Sequence, residues 1–180
     1  MARLTRIVTR TGDKGQTGLA DGSRMDKDSL RIQALGDLDE LNAALGLLAV
    51  ELDDPPMKRQ ITDIQHRLFD LGGELALPGS TVISENQVLF LEQYLDAINE
   101  KLPPLREFVL PGSTRATAQA HMARAICRRA ERSLWRLSRG ETVNCESLKY
   151  LNRLSDLLFV LARHLARQAS DKETTWNRKT

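Results

Sequence analysis

Three glycines near the N-terminus, Gly12, Gly15 and Gly18, lie among side chains that can bind anions. The segment from Thr9 to Gly18 reads TRTGDKGQTG. Glycine allows backbone angles that turn successive N–H groups toward one point, and such a nest binds phosphate. The segment is not a Walker A motif, because no Gly-Lys-Ser/Thr ends it and no strong strand pattern precedes it. The residues therefore indicate either a phosphate-binding loop or an ordinary flexible loop.

A row of arginines recurs every four residues later in the chain, at Arg124, Arg128, Arg132 and Arg136. Each step of four leaves only about 40° of rotation around a helix, so the row forms one cationic ridge. Guanidinium groups bind phosphate oxygens through two parallel hydrogen bonds. A solvated helix face with scattered ion pairs is the alternative. Glu131 is the one acid between residues 115 and 139, so we expect the ridge to need an anion from outside.

Asn152 lies within an otherwise strongly helical pattern, one turn before Asp156. Asparagine is a poor helix former, so a mid-helix Asn beside an apolar stripe is a candidate for hydrogen bonding to a ligand. The alternative is an ordinary polar flank in which Arg153 pairs with Asp156.

The segment GDLDELN, residues 36–42, places three carboxylates, Asp37, Asp39 and Glu40, at helical spacing. Such a group could take part in acid–base chemistry or bind a metal, or it could simply complement a helix N-terminus. A di-iron helical bundle would need Glu-x-x-His pairs, and none precedes His66, His121 or His164.

Apolar residues at steps of three and four predict five amphipathic helices, separated by proline and glycine pairs. Ser84 with Gln87 forms a capping box, Ser113 or Thr114 caps the fourth helix, and Asn144 caps the fifth. Short loops between long helices predict an all-α, five-helix antiparallel bundle with an N-terminal glycine-rich loop. We assign one domain over residues 1–180: an arm at 1–28, a bundle at 29–170 and a frayed tail at 171–180.

Charge is nearly balanced overall but unevenly distributed along the 180 residues, with 26 basic and 24 acidic side chains. Residues 36–56 are acidic and residues 115–139 are basic, and this predicts contact between the two stretches or an anionic ligand for the second. Two cysteines form no C-x-x-C pair, no signal peptide is evident, and no apolar run could span a membrane. These features favour the reducing cytoplasm and no membrane partner.

Five segments together resemble the PduO-type ATP:cob(I)alamin adenosyltransferases. They are TRTGDKGQT, GDLDELNAALG, FVLPG, HMARAICRRAER and YLNRLSDLLFVLAR, in the family's order between Thr9 and about Arg163. The sequence departs from the family's pattern at Ser113, where the family often has Gly, and at Ala120, where it often has Leu. Both positions flank the implied corrinoid wall and leave the shape of that pocket open.

The resemblance implies a ferritin-like bundle that assembles as a homotrimer, with the active site between subunits. ATP, used with Mg²⁺, would be held on one side by Lys27 and the loop residues Arg10, Thr11, Gly12, Asp13, Lys14, Gly15, Gln16, Thr17 and Gly18. Arg128, Arg132 and Asn152 would complete the nucleotide site from the neighbouring subunit. Asp37 would pair with Arg128 across that interface, and a corrinoid reductase is a further candidate partner.

The implied reaction transfers the 5′-deoxyadenosyl group of ATP to the Co(I) of a reduced corrinoid, giving adenosylcobalamin and triphosphate. Neutralising the departing triphosphate and orienting two large substrates are the obvious contributions of the protein. Phe108 would lie beneath the corrin ring and displace the lower cobalt ligand. Without the resemblance, Phe108 would be interpreted as a core residue.

Two other function classes remain open from the residues. A nucleic-acid-binding protein would use the arginine ridge on phosphates, but the net charge of +2 and the lack of an aromatic platform argue against it. A purely structural helical trimer would have no need of the glycine loop.

Overall fold

The structure, a computed structural model, describes residues 8–170 and 172–177, and α-helices make up most of them. The helices are α1 (Leu30–Val50), α2 (Pro55–Ala76), α3 (Glu85–Asn99), α4 (Arg115–Leu137) and α5 (Cys145–Ser170). Two short strands, β1 (Gln16–Gly18) and β2 (Arg24–Asp26), precede them. The predicted all-α, five-helix architecture is confirmed.

Local sequence signals fix where several helices begin. Ser84 and Gln87 form both halves of the predicted capping box at α3. The Thr114 side chain accepts a hydrogen bond from the Thr117 N–H at 3.1 Å, which makes Thr114 the cap of α4. Asp54 caps α2 in the same way. The Pro55-Pro56 pair therefore lies in the first turn of α2, where the missing N–H groups cost nothing, instead of in the linker.

Consecutive helices alternate in direction, as the short loops predict. α4 packs between α1 and α5, while α2 covers α1 and α3 covers α5. Leucines dominate the interior, and Leu41, Leu45, Leu151 and Leu154 are fully buried. The neighbours α3 and α5 run parallel, because Asn144 contacts Ile83 just before the two helices start and Arg163 contacts Pro103 towards their other ends. No helix in the described part of the chain is long and apolar enough to cross a membrane.

A buried polar cluster ties together the end of the bundle where α1 and α5 begin. Arg31 donates to the Leu75 carbonyl at 2.7 Å and pairs with Glu141. Glu74 accepts from the Ile83 N–H at 2.7 Å and from Asn144 at 2.9 Å. These bonds satisfy groups that would otherwise be costly to bury, so this end of the bundle is a firm platform for the N-terminal segment.

Two features of the termini differ from the sequence prediction. Residues 16–26 form a β-hairpin, whereas the arm was expected to be loop throughout. The hairpin docks on the bundle through the Ala20 N–H, which donates to the Ala76 carbonyl at 2.9 Å. The tail was expected to fray from Ser170, yet residues 172–177 pack against the segment before α4, where Thr175 pairs with Val109.

Candidate functional site

The glycine loop is a tight turn that leads into β1. The Gly15 N–H donates to the Gly12 carbonyl at 3.2 Å, and the Lys27 N–H donates to the Gly15 carbonyl at 2.9 Å. Gly15 has φ +82°, in the left-handed region where side chains are strained. Residues 13–16 are exposed. The hairpin thus holds an open turn whose polar groups face solvent, as a phosphate-binding loop requires.

Lys27 lies directly across from Gly12, and the family resemblance assigned both residues to the nucleotide site. A Cβ added at Gly12 would lie 3.1 Å from the Lys27 Nζ. Arg24, the first residue of β2, donates to the carbonyls of Thr11 at 2.7 Å and Gln16 at 3.0 Å. Arg24 was not predicted from the sequence. It fixes the loop backbone, while Lys27 keeps its ammonium beside the turn.

Three of the four ridge arginines, Arg128, Arg132 and Arg136, are exposed on α4. Among the residues that the structure describes, none of these three makes an ion pair. Arg124 differs, because its guanidinium lies over the Phe159 ring, 5.8 Å from the centroid. The ridge is therefore a row of three available guanidinium groups.

Two open grooves meet beside this ridge at Glu131 and Trp135. In addition to Glu131 and Trp135, the first groove, of 440 Å³, is lined by Arg128, Arg132, Arg136 and Arg139. The other, of 340 Å³, reaches α5 and includes Asn152. Asn152 donates to Glu131 at 3.1 Å and accepts from Arg153 at 2.7 Å. The structure thus brings Arg128, Arg132 and Asn152 to one surface, with Glu131 as the group that holds the amide.

Within this chain, Asp37 pairs with an arginine that the sequence did not predict, while its implied pairing with Arg128 across a subunit interface stays a prediction. Asp37 accepts from the Arg129 Nε at 3.0 Å and from the Ser133 hydroxyl, not from Arg128. Adjacent helical residues point about 100° apart, so Arg129 faces α1 while Arg128 faces away from it. Arg129 also binds Glu40, and chiefly that hydrogen bond, then Asp37, raises the pKa of Arg129.

The contact predicted between the acidic stretch 36–56 and the basic stretch 115–139 is present within one chain. Asp37, Glu40 and Glu51 all pair with arginines of α4. These pairs join α1 to α4 inside one protomer. These pairs therefore give no support to assembly, whereas Arg128, Arg132 and Arg136 of the ridge make no ion pair with any described residue.

Phe108 is a surface residue, so its interpretation as a core residue is excluded. The side chain is 76% exposed. It lies before α4, at the end of the bundle opposite the glycine loop, and its ring meets Trp176 edge-on with centroids 6.3 Å apart. An exposed phenylalanine on a short segment can present its ring to a flat apolar ligand.

Ser113 follows Phe108 by five residues and has φ +73°. This is the left-handed region, which a residue with a Cβ adopts only at a cost. The position therefore favours glycine, and the serine in this chain introduces local strain just before α4.

Sequence reasoning missed a cluster around His121. The His121 ring is buried against Phe159, and within the described residues neither ring nitrogen has a hydrogen-bond partner. Burial, and secondly Arg124, lower the pKa of His121, so its imidazole stays neutral near neutral pH. A lone histidine on an amphipathic helix gives no local signal for this environment.

No hydrogen bond or ion pair between described residues joins the glycine loop or Lys27 to Arg128, Arg132 or Asn152. The structure also shows no cluster of three acidic, histidine or cysteine side chains that could hold a metal, among residues 8–170 and 172–177. In the described part of the chain, neither of the two grooves beside the ridge is lined by a residue of the glycine loop or by Lys27.

Comparison with known proteins gives a consistent result. The family model for cobalamin adenosyltransferase matches residues 7–165. A cobalamin adenosyltransferase from Cupriavidus metallidurans is 53% identical over 178 residues, covering 98% of this chain and 97% of that protein. A corrinoid adenosyltransferase from Bacillus subtilis is 44% identical, covering 88% of this chain and 85% of that protein.

Solved structures agree with the sequence comparison. A variant of the PduO-type ATP:corrinoid adenosyltransferase from Lactobacillus reuteri, complexed with cobalamin and ATP, matches with a TM-score of 0.90 at 31% identity. The match covers 96% of this chain and 100% of that chain. A second variant, complexed with ATP, matches with a TM-score of 0.90 at 34% identity, covering 95% and 100% of the two chains.

Proposed function

Since the chain belongs to the cobalamin adenosyltransferase family, and is an ATP:corrinoid adenosyltransferase, we propose that Arg128 and Arg132 bind the triphosphate of its ATP. The observation that carries this proposal is the exposed ridge, whose arginines make no ion pair in the part of the chain that the structure describes. Three of them line one groove, and Asn152 lines the groove beside it. Unpaired guanidinium groups beside a groove suit a polyphosphate better than a neutral ligand.

The reaction is a displacement at the ribose 5′ carbon. The Co(I) centre of the substrate contributes the electron pair that forms the new cobalt–carbon bond. The bond from C5′ to oxygen breaks, and its electron pair leaves with the triphosphate. No proton leaves the nucleophile, so the chain needs no general base, and its contribution is electrostatic and geometric.

Arg128 and Arg132 neutralise the charge that builds on the leaving triphosphate. The exposed turn at Gly12 to Gln16 contributes backbone N–H groups, and Lys14 and Lys27 add positive charge beside it. Mg²⁺ enters with ATP as part of the substrate complex. In such a complex the phosphate oxygens of ATP would bind the Mg²⁺, which keeps several of its waters.

Phe108 takes the corrinoid side of the site. Its exposed ring would lie against the lower face of the corrin and displace the base that ligates cobalt there. Losing that ligand makes Co(I) easier to form from the more oxidised corrinoid.

The active site forms between subunits of a homotrimer. Support comes from the two grooves beside the ridge, because within the described protomer no residue of the glycine loop lines either of them. In a ring of three subunits, each heterologous interface would place the loop of one copy against the ridge of the next.

Arg132→Ala tests the nucleotide site, with Arg59→Ala as the matched control, because Arg59 is an exposed arginine on α2. We expect Arg132→Ala to lower kcat/KM for ATP by roughly 10- to 100-fold, which corresponds to loss of one charge-assisted hydrogen bond. Arg59→Ala keeps wild-type kinetics. Equal kinetics for the two variants would remove Arg132 from the site.

Mixing two inactive variants tests the shared interface. Gly15→Val damages the loop and Arg132→Ala damages the ridge, so each homotrimer is impaired. In randomly mixed trimers, about one interface in four would combine an intact loop with an intact ridge. We expect roughly a quarter of wild-type activity to return after subunit exchange. No recovery, although mixed trimers form, would show that one protomer supplies both surfaces.

A further inference from the structure

The C-terminal tail, residues 172–177, is hydrogen-bonded to the backbone at Phe108 and at Leu110, on the two sides of Val109. The Trp176 N–H donates to the Phe108 carbonyl at 2.7 Å, and the Leu110 N–H donates to the Thr174 carbonyl at 2.8 Å. Between them, Val109 and Thr175 form an antiparallel bridge. The segment that carries Phe108 therefore acquires extended structure only by pairing with the tail.

Glu173 anchors the tail to the bundle through ion pairs with Arg163 and Arg167 of α5. The Arg163 side chain on α5 binds Glu173 at 2.6 Å, and both side chains are nearly buried, at 5% and 8% exposure. Arg163 also donates to the Pro103 carbonyl at 2.8 Å. One guanidinium thus fixes both the tail and the start of the segment between α3 and α4. Removing one partner of an ion pair this buried is strongly destabilising.

The tail also limits where the Phe108 ring can lie. Trp176 meets that ring edge-on, at an interplanar angle of 65°. Because Phe108 remains 76% exposed, the indole supports one edge of the ring and leaves the rest free. An edge-on aromatic contact is favourable by itself and restricts the rotamers of both rings.

We propose that Glu173 and Trp176 are positioning residues that hold Phe108 in place for the corrinoid. Glu173 locks the tail to α5, and Trp176 fixes the backbone and ring of Phe108. The inference rests on the proposed role of Phe108 in displacing the lower cobalt ligand. It adds a requirement that Phe108 alone does not supply: the ring must be held, because a mobile phenylalanine on an irregular segment cannot compete with a tethered base.

The test uses Trp176→Ala and Glu173→Gln in the full-length chain, each with a matched control. Phe90→Ala removes another exposed aromatic that stacks on a neighbour, Tyr94. Asp70→Asn removes the acid from a different arginine ion pair, on α2. Adenosylation is measured with two corrinoids, cobalamin and an analogue that lacks the tethered base. The absorbance spectrum of bound Co(II) cobalamin reports how much has lost its lower ligand.

Both tail variants should lower kcat/KM for cobalamin by roughly tenfold, since small misplacements at a reacting centre have effects of this size or larger. The base-free analogue should show less than about a twofold loss, and KM for ATP should stay within about twofold. The spectrum of bound cobalamin should shift toward the base-bound form. The two control variants should match wild type in all of these measurements.

Equal losses on both corrinoids, or an unchanged cobalamin spectrum, would overturn the positioning role, even if the tail variants melt at lower temperature. Phe108→Ala separates this failure from failure of the proposed function. If Phe108→Ala impairs cobalamin selectively and the tail variants do not, only the tail inference fails. If Phe108→Ala affects both corrinoids equally, the role of Phe108 itself fails. In the double variant with Phe108→Ala, Trp176→Ala should add almost nothing.

Discussion

Arg129→Ala should destabilise the protein, while Arg128→Ala at the next position should not. The two residues differ only in the direction they face on α4. Arg129 holds Asp37 and Glu40 of α1, whereas Arg128 is exposed and has no ion pair among the described residues. The pair of variants therefore tests which arginine joins the two helices.

The expected magnitude follows from burial. The Asp37 side chain is only 12% exposed, while the Arg129 side chain is 40% exposed. Removing one partner of a fully buried pair costs about 3–5 kcal/mol, and exposed pairs contribute about 0–1 kcal/mol. Asp37 keeps its bond from Ser133 in the variant, so we expect a loss of about 1–2 kcal/mol. Arg128→Ala should change the free energy of unfolding by less than about 0.5 kcal/mol.

Thermal unfolding followed by circular dichroism, at one fixed protein concentration, measures the difference. For a chain of this size, a loss of 1–2 kcal/mol lowers Tm by roughly 2–8 °C. Fixed concentration is needed because assembly would make Tm depend on it. A double-mutant cycle with Asp37→Asn then isolates the interaction of Asp37 with Arg129.

The reasoning would be refuted if Arg128→Ala lowered Tm as much as Arg129→Ala. That outcome would mean that Asp37 depends on Arg128, as the family resemblance implied. A cycle that showed no coupling between Asp37 and Arg129 would refute it equally.

Four further changes test other features of the structure. Phe108→Ala should lower the free energy of unfolding by less than about 1 kcal/mol, because the side chain is already 76% exposed, unlike a core phenylalanine at about 3–5 kcal/mol; a chemical denaturation curve measures this. Ser113→Gly should stabilise the protein by about 0.5–1 kcal/mol in the same assay, since φ +73° suits glycine. Gly15→Val should weaken MgATP binding in calorimetry while Tm falls by no more than about 4 °C, because φ +82° strains an exposed turn that can open locally; a large drop would make the turn structural. The lowered pKa of His121 means that the unfolded chain takes up a proton more readily below pH 6.5, so stability should fall as the pH decreases through that range, and His121→Gln should flatten the decline.

Much of the fold was predictable because it depends on local signals. Leucines at steps of three and four, together with the Ser84 capping box, specify where helices lie and which face is buried. The ridge could be predicted for the same reason, since residues spaced by four share one face of any helix. Exposure of Arg128, Arg132 and Arg136 then follows once the apolar stripe of α4 is known.

The partners of individual side chains required the tertiary structure. Asp37 and Arg129 are 92 positions apart in the chain, and a single step along α4, about 100° of rotation, decides which arginine faces α1. Local spacing carries no information on that rotation, because it depends on how two helices pack.

The contacts of the C-terminal tail also could not be predicted from local sequence patterns. Its residues are polar and lack periodicity, so the sequence by itself predicts a frayed end. Only the packed structure brings Glu173 beside Arg163 and Trp176 beside Phe108. The buried ion pair and the bridge between Val109 and Thr175 both depend on where α5 ends relative to the segment before α4. The sequence by itself therefore determined the helices and the residue types of the site. Tertiary packing decided which side chains contact one another, as Asp37 contacts Arg129 and Trp176 contacts Phe108.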